Sequence, residues 1–331
     1  MKKREFAGID VSKSTLDVCL FDKKSHNQFE NNEKGFKKLT KWIEKATGKR
    51  LNEMEFCFEH TGLYSLPLSI YLEQNKTCFY VVSGLLVKRS LGLKRGKSDR
   101  IDAFDLARFA YLHRGELKPY KLPPQSIIKL KQLQSFRARL VKQCATYKAH
   151  IKEVRLILGY DNKDPIINTS VELIKVFTEK IKVIEREMMQ YIKADEKLNQ
   201  TYKNVTTIKG VGMIVAIAVL TSTNNFQSFD NWRQFACYAG IAPFEHQSGI
   251  SYRGKTRIST LGNRQLKTLL SQAAASSIQF NPEMRVYYQR RLSEGKNKMS
   301  TLNIIRNKIV SRIFAVGKRL TPYVDTYKYA A

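Results

Sequence analysis

Acidic residues are scarce in this chain. Its 331 residues include 29 Asp and Glu against 58 Lys and Arg, a formal charge of +29 and a pI near 9.9. Such a field repels basic partners and attracts polyanions, of which nucleic acid is the commonest. An RNA-coating protein would share the charge, so charge alone names a partner class and no activity. Cysteine is sparse and scattered, at Cys19, Cys57, Cys78, Cys144 and Cys237, with no CxxC spacing. The first three lie in apolar strand-like runs, so the five read as buried thiols in a reducing cytosol and not as a disulfide framework or a zinc site. The five histidines form no HxxxH pair, which weakens zinc further. Long apolar runs are missing too. Val211 to Leu220 is the longest and is too short to span a bilayer, so no membrane partner is expected. Met1-Lys2-Lys3-Arg4-Glu5 leads straight into a strand, without a signal-peptide pattern. Internal repeats and low-complexity tracts are lacking.

What is present suffices for two or three compact units, since hydrophobic residues make up 43%. The first part alternates strands and helices. Phe6 to Asp10, Thr15 to Phe21 and Asn27 to Glu30 read as strands. Phe36, Leu39, Trp42 and Ile43 make a helical stripe behind Asn31-Asn32. A strand over Met54 to Glu59, a helix over Leu63 to Glu73, a strand over Thr77 to Ser83, a basic stretch and a helix from about Arg100 to His113 follow. That order suits a mixed α/β sheet of ribonuclease H-like type. Pro123-Pro124 breaks it. Beyond, Leu133 to Leu158 and Ile174 to Tyr191 carry apolar stripes at spacings of three and four, separated by a turn at Asp164-Pro165. They predict a helical hairpin or intermolecular coiled coil, or equally two core helices. From about Asn204 the chain reads as mainly helical, opening on Thr207-Ile208-Lys209-Gly210-Val211-Gly212-Met213. This segment resembles a helix-hairpin-helix turn, whose glycines let backbone amides approach a phosphate. A polar loop is expected from Glu245 to Ser259, and helices start near Gly262-Asn263, Pro282 and Thr301. The boundaries are 1–122, 123–200 for a coiled-coil arm, and 201–331.

Two constellations carry chemistry. Asp10 ends the first strand, Glu59 ends the fourth, and Asp99 and Asp102 sit three apart at a helix start. Acids at the ends of neighbouring strands converge at one sheet edge, and the spacing of three puts Asp99 and Asp102 on one side of a helix. Four gathered carboxylates repel each other unless cations neutralise them. Magnesium suits hard oxygen ligands, and two ions about 4 Å apart could serve phosphodiester chemistry. The bland reading is four ordinary turn and cap residues. Lys88, Arg89, Lys94, Arg95, Lys97 and Arg100 surround the acids and would hold a phosphate backbone, or else form a solvated loop. The second constellation is Ser248, before Gly249, with Arg253, Lys255 and Arg257 beyond it. If that stretch is extended, the three cations share a face and could stabilise charge on an attacked phosphate. A serine is a weak nucleophile without help, and Ser251 and Ser259 are equally available, so the residues alone do not select Ser248.

The assembled motifs resemble the DEDD transposases of the insertion-sequence one-ten family, relatives of the pilin-gene invertases. They are Gly8-Ile9-Asp10-Val11-Ser12-Lys13, Glu59 before Thr61-Gly62-Leu63-Tyr64, and Lys97 to Ala103. Further along come Ile208 to Gly212, Tyr238-Ala239-Gly240-Ile241-Ala242-Pro243, Gln247-Ser248-Gly249 and Gly262-Asn263-Arg264. The resemblance spans nearly the whole chain and departs at Lys209, where many relatives carry proline, and at His60. It implies a RuvC-like domain with Asp10, Glu59, Asp99 and Asp102 as catalytic metal ligands for Mg2+, with Mn2+ able to substitute. It also implies a mainly helical C-terminal transposase domain whose nucleophile is Ser248, with Lys209 and Arg264 joining the basic residues on nucleic acid. Donor and target DNA, a noncoding bridge RNA, and homodimers pairing into tetramers are the implied partners, in the cytoplasm of a bacterium or archaeon near the nucleoid. A RuvC-like nuclease or junction resolvase without serine chemistry, or a basic nucleic-acid-binding protein without catalysis, are the competing readings.

Overall fold

The computed structural model describes residues 4–92, 98–248 and 252–325, and only the backbone of His246, Ser248, Tyr252 and Arg253. The chain divides into two compact units, residues 1–122 and 123–331.

The first unit is built on a five-stranded mixed sheet. Strands β1 (Glu5–Val11), β2 (Thr15–Leu20) and β3 (His26–Glu30) form an antiparallel meander, and β4 (Met54–Glu59) and β5 (Cys78–Val82) add in parallel. The order across the sheet is β3-β2-β1-β4-β5. The central strands β1 and β4 are buried on both faces, as their near-continuous apolar runs require. Helix α1 (Glu33–Thr47) starts where Asn32 accepts from the Gly35 amide at 2.9 Å. It buries Phe36, Leu39 and Ile43 against one face of the sheet. Helix α2 (Leu66–Gln74) starts three residues later than its apolar pattern suggests. Gly62 in the left-handed region and the turn that follows hold the chain off helical geometry until Pro67 opens the first turn. Helix α3 (Gly84–Leu91) carries Lys88 and Arg89, both exposed, so this part of the basic stretch is helical and not a loop. Helix α4 (Asp99–Leu112) packs on the face opposite α1, burying Leu106, Phe109 and Ala110 with Phe6, Tyr80 and Val82.

The second unit opens with a helical hairpin. Helices α5 (Gln125–Leu158) and α6 (Pro165–Ala194) run antiparallel, about 50 and 45 Å long at 1.5 Å per residue. Their distal ends share a small cluster of Ile151, Val154 and Ile167, and Arg137 pairs with Glu185 at 2.7 Å along the stem. Their proximal ends, through Ile127, Leu130, Leu133, Met188 and Ile192, enter the main C-terminal core. That core is completed by α7 (Glu196–Thr206), α8 (Met213–Ser222), α9 (Trp232–Tyr238), α10 (Arg264–Phe280), α11 (Pro282–Ser293) and α12 (Lys298–Arg319). The segment from Glu245 to Ser259, expected as a polar loop, is mostly a β-hairpin of β6 (Pro243–Ser248) and β7 (Tyr252–Ile258). Its described side chains are largely exposed, so no apolar alternation marks it as sheet. Of the cysteines, Cys19, Cys57 and Cys144 are buried, Cys78 is half-buried and Cys237 exposed, all as free thiols. Among the described residues no helix is long and apolar enough to cross a membrane.

Candidate active site

The four acids named from the sequence are positioned by three local features of the first unit. Ile9 is in parallel register with Phe58, so Asp10 and Glu59 stand one residue further on, side by side at the ends of adjacent strands. Gly8 lets α4 close down on the sheet. A Cβ there would sit 2.0 Å from the Ala103 carbonyl oxygen and 2.3 Å from the Ala107 nitrogen, so only glycine permits this approach. Asp10, two residues on, faces the same side as Gly8 by strand alternation. The start of α4 is fixed by Ser98, whose hydroxyl accepts from the Ile101 amide at 3.3 Å. This cap places Asp99 and Asp102 in the first helical turn, where the helix dipole favours negative charge. Glu59 is held on the other side. Its carboxylate lies against Gly84, the first residue of α3, where any Cβ would come within 2.3 Å of Oε2.

Asp10 feels the charges of the other three acids. The half-buried Asp10 carboxyl is pushed up from its ordinary 3.8 to about 6, first by burial and then by the charges of Asp102, Asp99, Glu59 and Asp17. The structure therefore brings the predicted quartet into mutual range, together with an acid that sequence reasoning passed over. Asp17 is the direct antiparallel partner of Asp10. The signal that could have found it is the meander itself, since pairing β1 with β2 sets the two acids opposite each other. Among the described residues, no Lys or Arg is ion-paired with any of the four. Nor, among those residues, do three or more His, Cys, Asp or Glu side chains stand in a ready-made metal cage. The donor set is nonetheless what a hard divalent cation takes: carboxylate oxygens only, that of Asp10 partly desolvated, with no Lys or Arg ion-paired to them among the described residues, in a chain of net charge +29.

The basic residues divide. Lys88 and Arg89 lie exposed on α3 and Arg100 exposed in the first turn of α4, whereas Lys94, Arg95 and Lys97 lie outside the described residues. In the second unit Lys209 is ion-paired with Asp325 at 3.2 Å. The turn before α8 holds Gly210 at φ 95°, with its Cβ position 2.7 Å from the Ala273 carbonyl oxygen. The space over Gly210 is thus filled by α10, while among the described residues nothing lies within 4 Å of the Cβ position of Gly212. Ser248 is the last residue of β6 and pairs with Tyr252. Lys255 and Arg257 are exposed on one face of β7, and Arg253 alternates with them along the same strand. Arg264 is exposed at the start of α10, behind the cap Asn263, whose side chain accepts from the Leu266 amide at 3.0 Å. The root of the hairpin is stapled to α12, where Asn303 and Asn307 both donate to the Ile241 carbonyl, at 2.9 and 3.0 Å.

Comparison with known proteins finds two matches along the chain, the first of which continues past the boundary between the two units into α5. A DEDD transposase model matches residues 7–156, and the model of the transposase IS116/IS110/IS902 family matches residues 202–289. The chain is 27% identical to the pilin gene-inverting protein of Moraxella bovis, over 97% of this chain and 98% of that protein. It is equally similar, over the same shares, to the pilin gene-inverting protein of Moraxella lacunata. It is 35% identical to the transposase for insertion sequence element IS1111A of Coxiella burnetii, over 25% of this chain and 22% of that one. The chain therefore carries a DEDD transposase domain followed by a transposase domain of the IS116/IS110/IS902 family, and it is an enzyme of DNA recombination.

Proposed function

We propose that this transposase cuts and rejoins DNA with two chemical centres, the acidic quartet of the first unit and Ser248 of the second. The observation that carries the reading is the Asp10 carboxyl, held near 6 by burial and three further predicted site acids. The strand order β3-β2-β1-β4-β5, with the first three antiparallel and the last two parallel, supports a RuvC-like, ribonuclease H-like assignment of that unit. Asp10, Glu59, Asp99 and Asp102 would hold Mg2+, one ion or two, with Mn2+ able to substitute. Bound there, the metal supplies Lewis-acid stabilisation of charge on phosphodiester oxygens.

The serine step balances simply. The Ser248 hydroxyl oxygen bonds to a DNA phosphorus, and the bond from that phosphorus to a deoxyribose oxygen breaks. The serine proton is lost and the freed sugar oxygen gains one, leaving a phosphoserine link whose energy is kept for rejoining. Lys255 and Arg257, on one strand face, would steady the phosphate while charge builds on it, and Arg253 joins them by sequence alone. Lys88, Arg89, Arg100 and Arg264 add exposed positive charge for the DNA backbone. Lys94, Arg95 and Lys97 belong to the same proposal by sequence alone.

Target choice belongs in this reading to a noncoding bridge RNA, read by shape and backbone. The net charge of +29 suits two nucleic-acid partners. Homodimers pairing into tetramers would let the two centres come from different copies. The exposed Leu156, Ile157 and Leu158 at the distal end of the helical arm suit such contacts. The test is a suicide DNA substrate that traps a covalent adduct. Natural protein should yield an adduct mapped to Ser248, and Ser248→Ala should bind DNA without yielding one. Strand transfer by Ser248→Ala at the natural rate would refute the serine chemistry and leave a metal-dependent nuclease.

A further inference from the structure

The second acid of the β1–β2 pair has no role in the chemistry above. Asp10 and Asp17 are directly opposed across an antiparallel pair, so their Cβ atoms are about 5 Å apart and on one face of the sheet. Like charges in that arrangement destabilise a sheet, and a neutral residue would serve packing better. Asp17 cannot swing away to water. It is only 6% exposed, and both of its oxygens are engaged. His26 Nε2 lies 2.9 Å from Oδ1, and Gln28 Nε2 donates to Oδ2 at 3.0 Å. Among the described residues, no Lys or Arg pairs with it.

We infer that Asp17 is a positioning residue of the acidic site: locked behind Asp10 by His26 and Gln28, its carboxylate tightens the hold of the quartet on a divalent cation without ligating it. This rests on the proposal that the quartet binds metal. The physics is that of a fixed charge beside a charged ligand. Asp17 already acts on Asp10, being one of the charges that keep its carboxyl high. A doubly charged cation at Asp10 feels the same field with opposite sign. At a separation of about 7 Å, one extra negative charge changes the affinity for a doubly charged cation by about tenfold even at nearly the dielectric of bulk water. The hydrogen bonds keep that charge aimed at the site when the site is empty, so no reorganisation accompanies binding. Glu59 and Asp102 face Asp10 from β4 and α4, whereas Asp17 faces it from β2, the side otherwise closed by the meander.

Asp17→Asn in the full chain isolates the charge. The amide keeps an oxygen for Gln28 and offers an N–H to the His26 ring, so the network survives. Mn2+ binding to chelator-stripped protein, read by electron paramagnetic resonance of free Mn2+, should weaken by about tenfold with an unchanged circular dichroism spectrum. In strand transfer the Mg2+ midpoint should move upward while the rate at saturating Mg2+ stays natural, because no ligand is lost. His26→Gln, which leaves the carboxylate and a donor in place, should bind Mn2+ as the natural chain does. Should Asp17→Asn fail to fold, Asp17→Thr tests the same charge in a residue suited to a strand. A folded, neutral variant at position 17 with natural Mn2+ affinity overturns the inference. Asp10→Asn separates the two levels. If natural protein and Asp10→Asn bind Mn2+ alike, the acidic-site reading fails and takes this inference with it. If Asp10→Asn loses binding and the position-17 variant keeps it, this inference alone fails.

Discussion

Replacing Asp10 by Asn should make the metal-free protein more stable, although it removes a catalytic group. The Asp10 carboxyl rises from 3.8 to about 6 because burial and four neighbouring acids oppose its charge. At about 1.4 kcal/mol per pKa unit that is close to 3 kcal/mol of disfavoured ionisation. Asp10 is half-buried, and water and salt screen much of the repulsion, so about 1 kcal/mol is the expected effect. The sign follows from proton counting. Well below pH 3.8 the carboxyl is protonated in both folded and unfolded chains and contributes nothing. Between about 4 and 6 the folded chain keeps the proton that the unfolded chain has lost, so stability falls as pH rises, and above 6 the loss is complete. Asn carries no charge at any of these values. Thermal unfolding in EDTA at pH 7.5 should therefore show the N-terminal transition of Asp10→Asn about 4 °C above that of the natural chain. The two should coincide well below pH 3.8. Adding Mg2+ should reverse the order, because only the natural site gains stability from a bound ion. A variant less stable than the natural chain in EDTA at pH 7.5, or an advantage of equal size at both pH values, would refute the reasoning.

Gly8→Ala should cost about 1–3 kcal/mol in urea unfolding, since the new methyl meets the backbone of α4, which cannot give way like a side chain. It should also weaken Mn2+ binding by lifting Asp99 and Asp102 away from Asp10. Arg306 is 5% exposed, its Nε has no hydrogen-bond partner among the described residues, and its Nη1 donates to Asn303 Oδ1 at 3.3 Å. Arg306→Met should thus leave stability unchanged or raise it by about 1 kcal/mol, and a loss beyond about 2 kcal/mol would point to a counter-charge on this side chain. Lys255→Ala with Arg257→Ala should flatten the slope of log affinity for duplex DNA against log salt by about 2. An unchanged slope would place the exposed face of β7 away from the phosphates.

The acids were legible as a set in the sequence because each ends or begins an element. Strand ends at Asp10 and Glu59, and the spacing of Asp99 and Asp102 behind the cap Ser98, are local patterns written in residue order. The helices of the second unit were legible for the same reason, since apolar stripes at spacings of three and four survive any packing. Locally encoded features failed where polar chemistry hid the period. The hairpin from Pro243 to Ile258 exposes most of its described side chains, so nothing in its order distinguished sheet from loop. Helix α2 began late because a left-handed Gly62 overruled an apolar run. What residue order determined, then, was which groups could do chemistry and the elements that bear them. Tertiary structure alone decided which of those groups meet. Opposing Asp17 to Asp10 takes strand register, closing α4 on Gly8 takes contact between backbones 95 residues apart in Gly8 and Ala103, and filling the space over Gly210 takes α10. Each is a distance between residues far apart in the chain, and pairwise proximity of that kind is fixed by packing, not by any local preference of the residues involved.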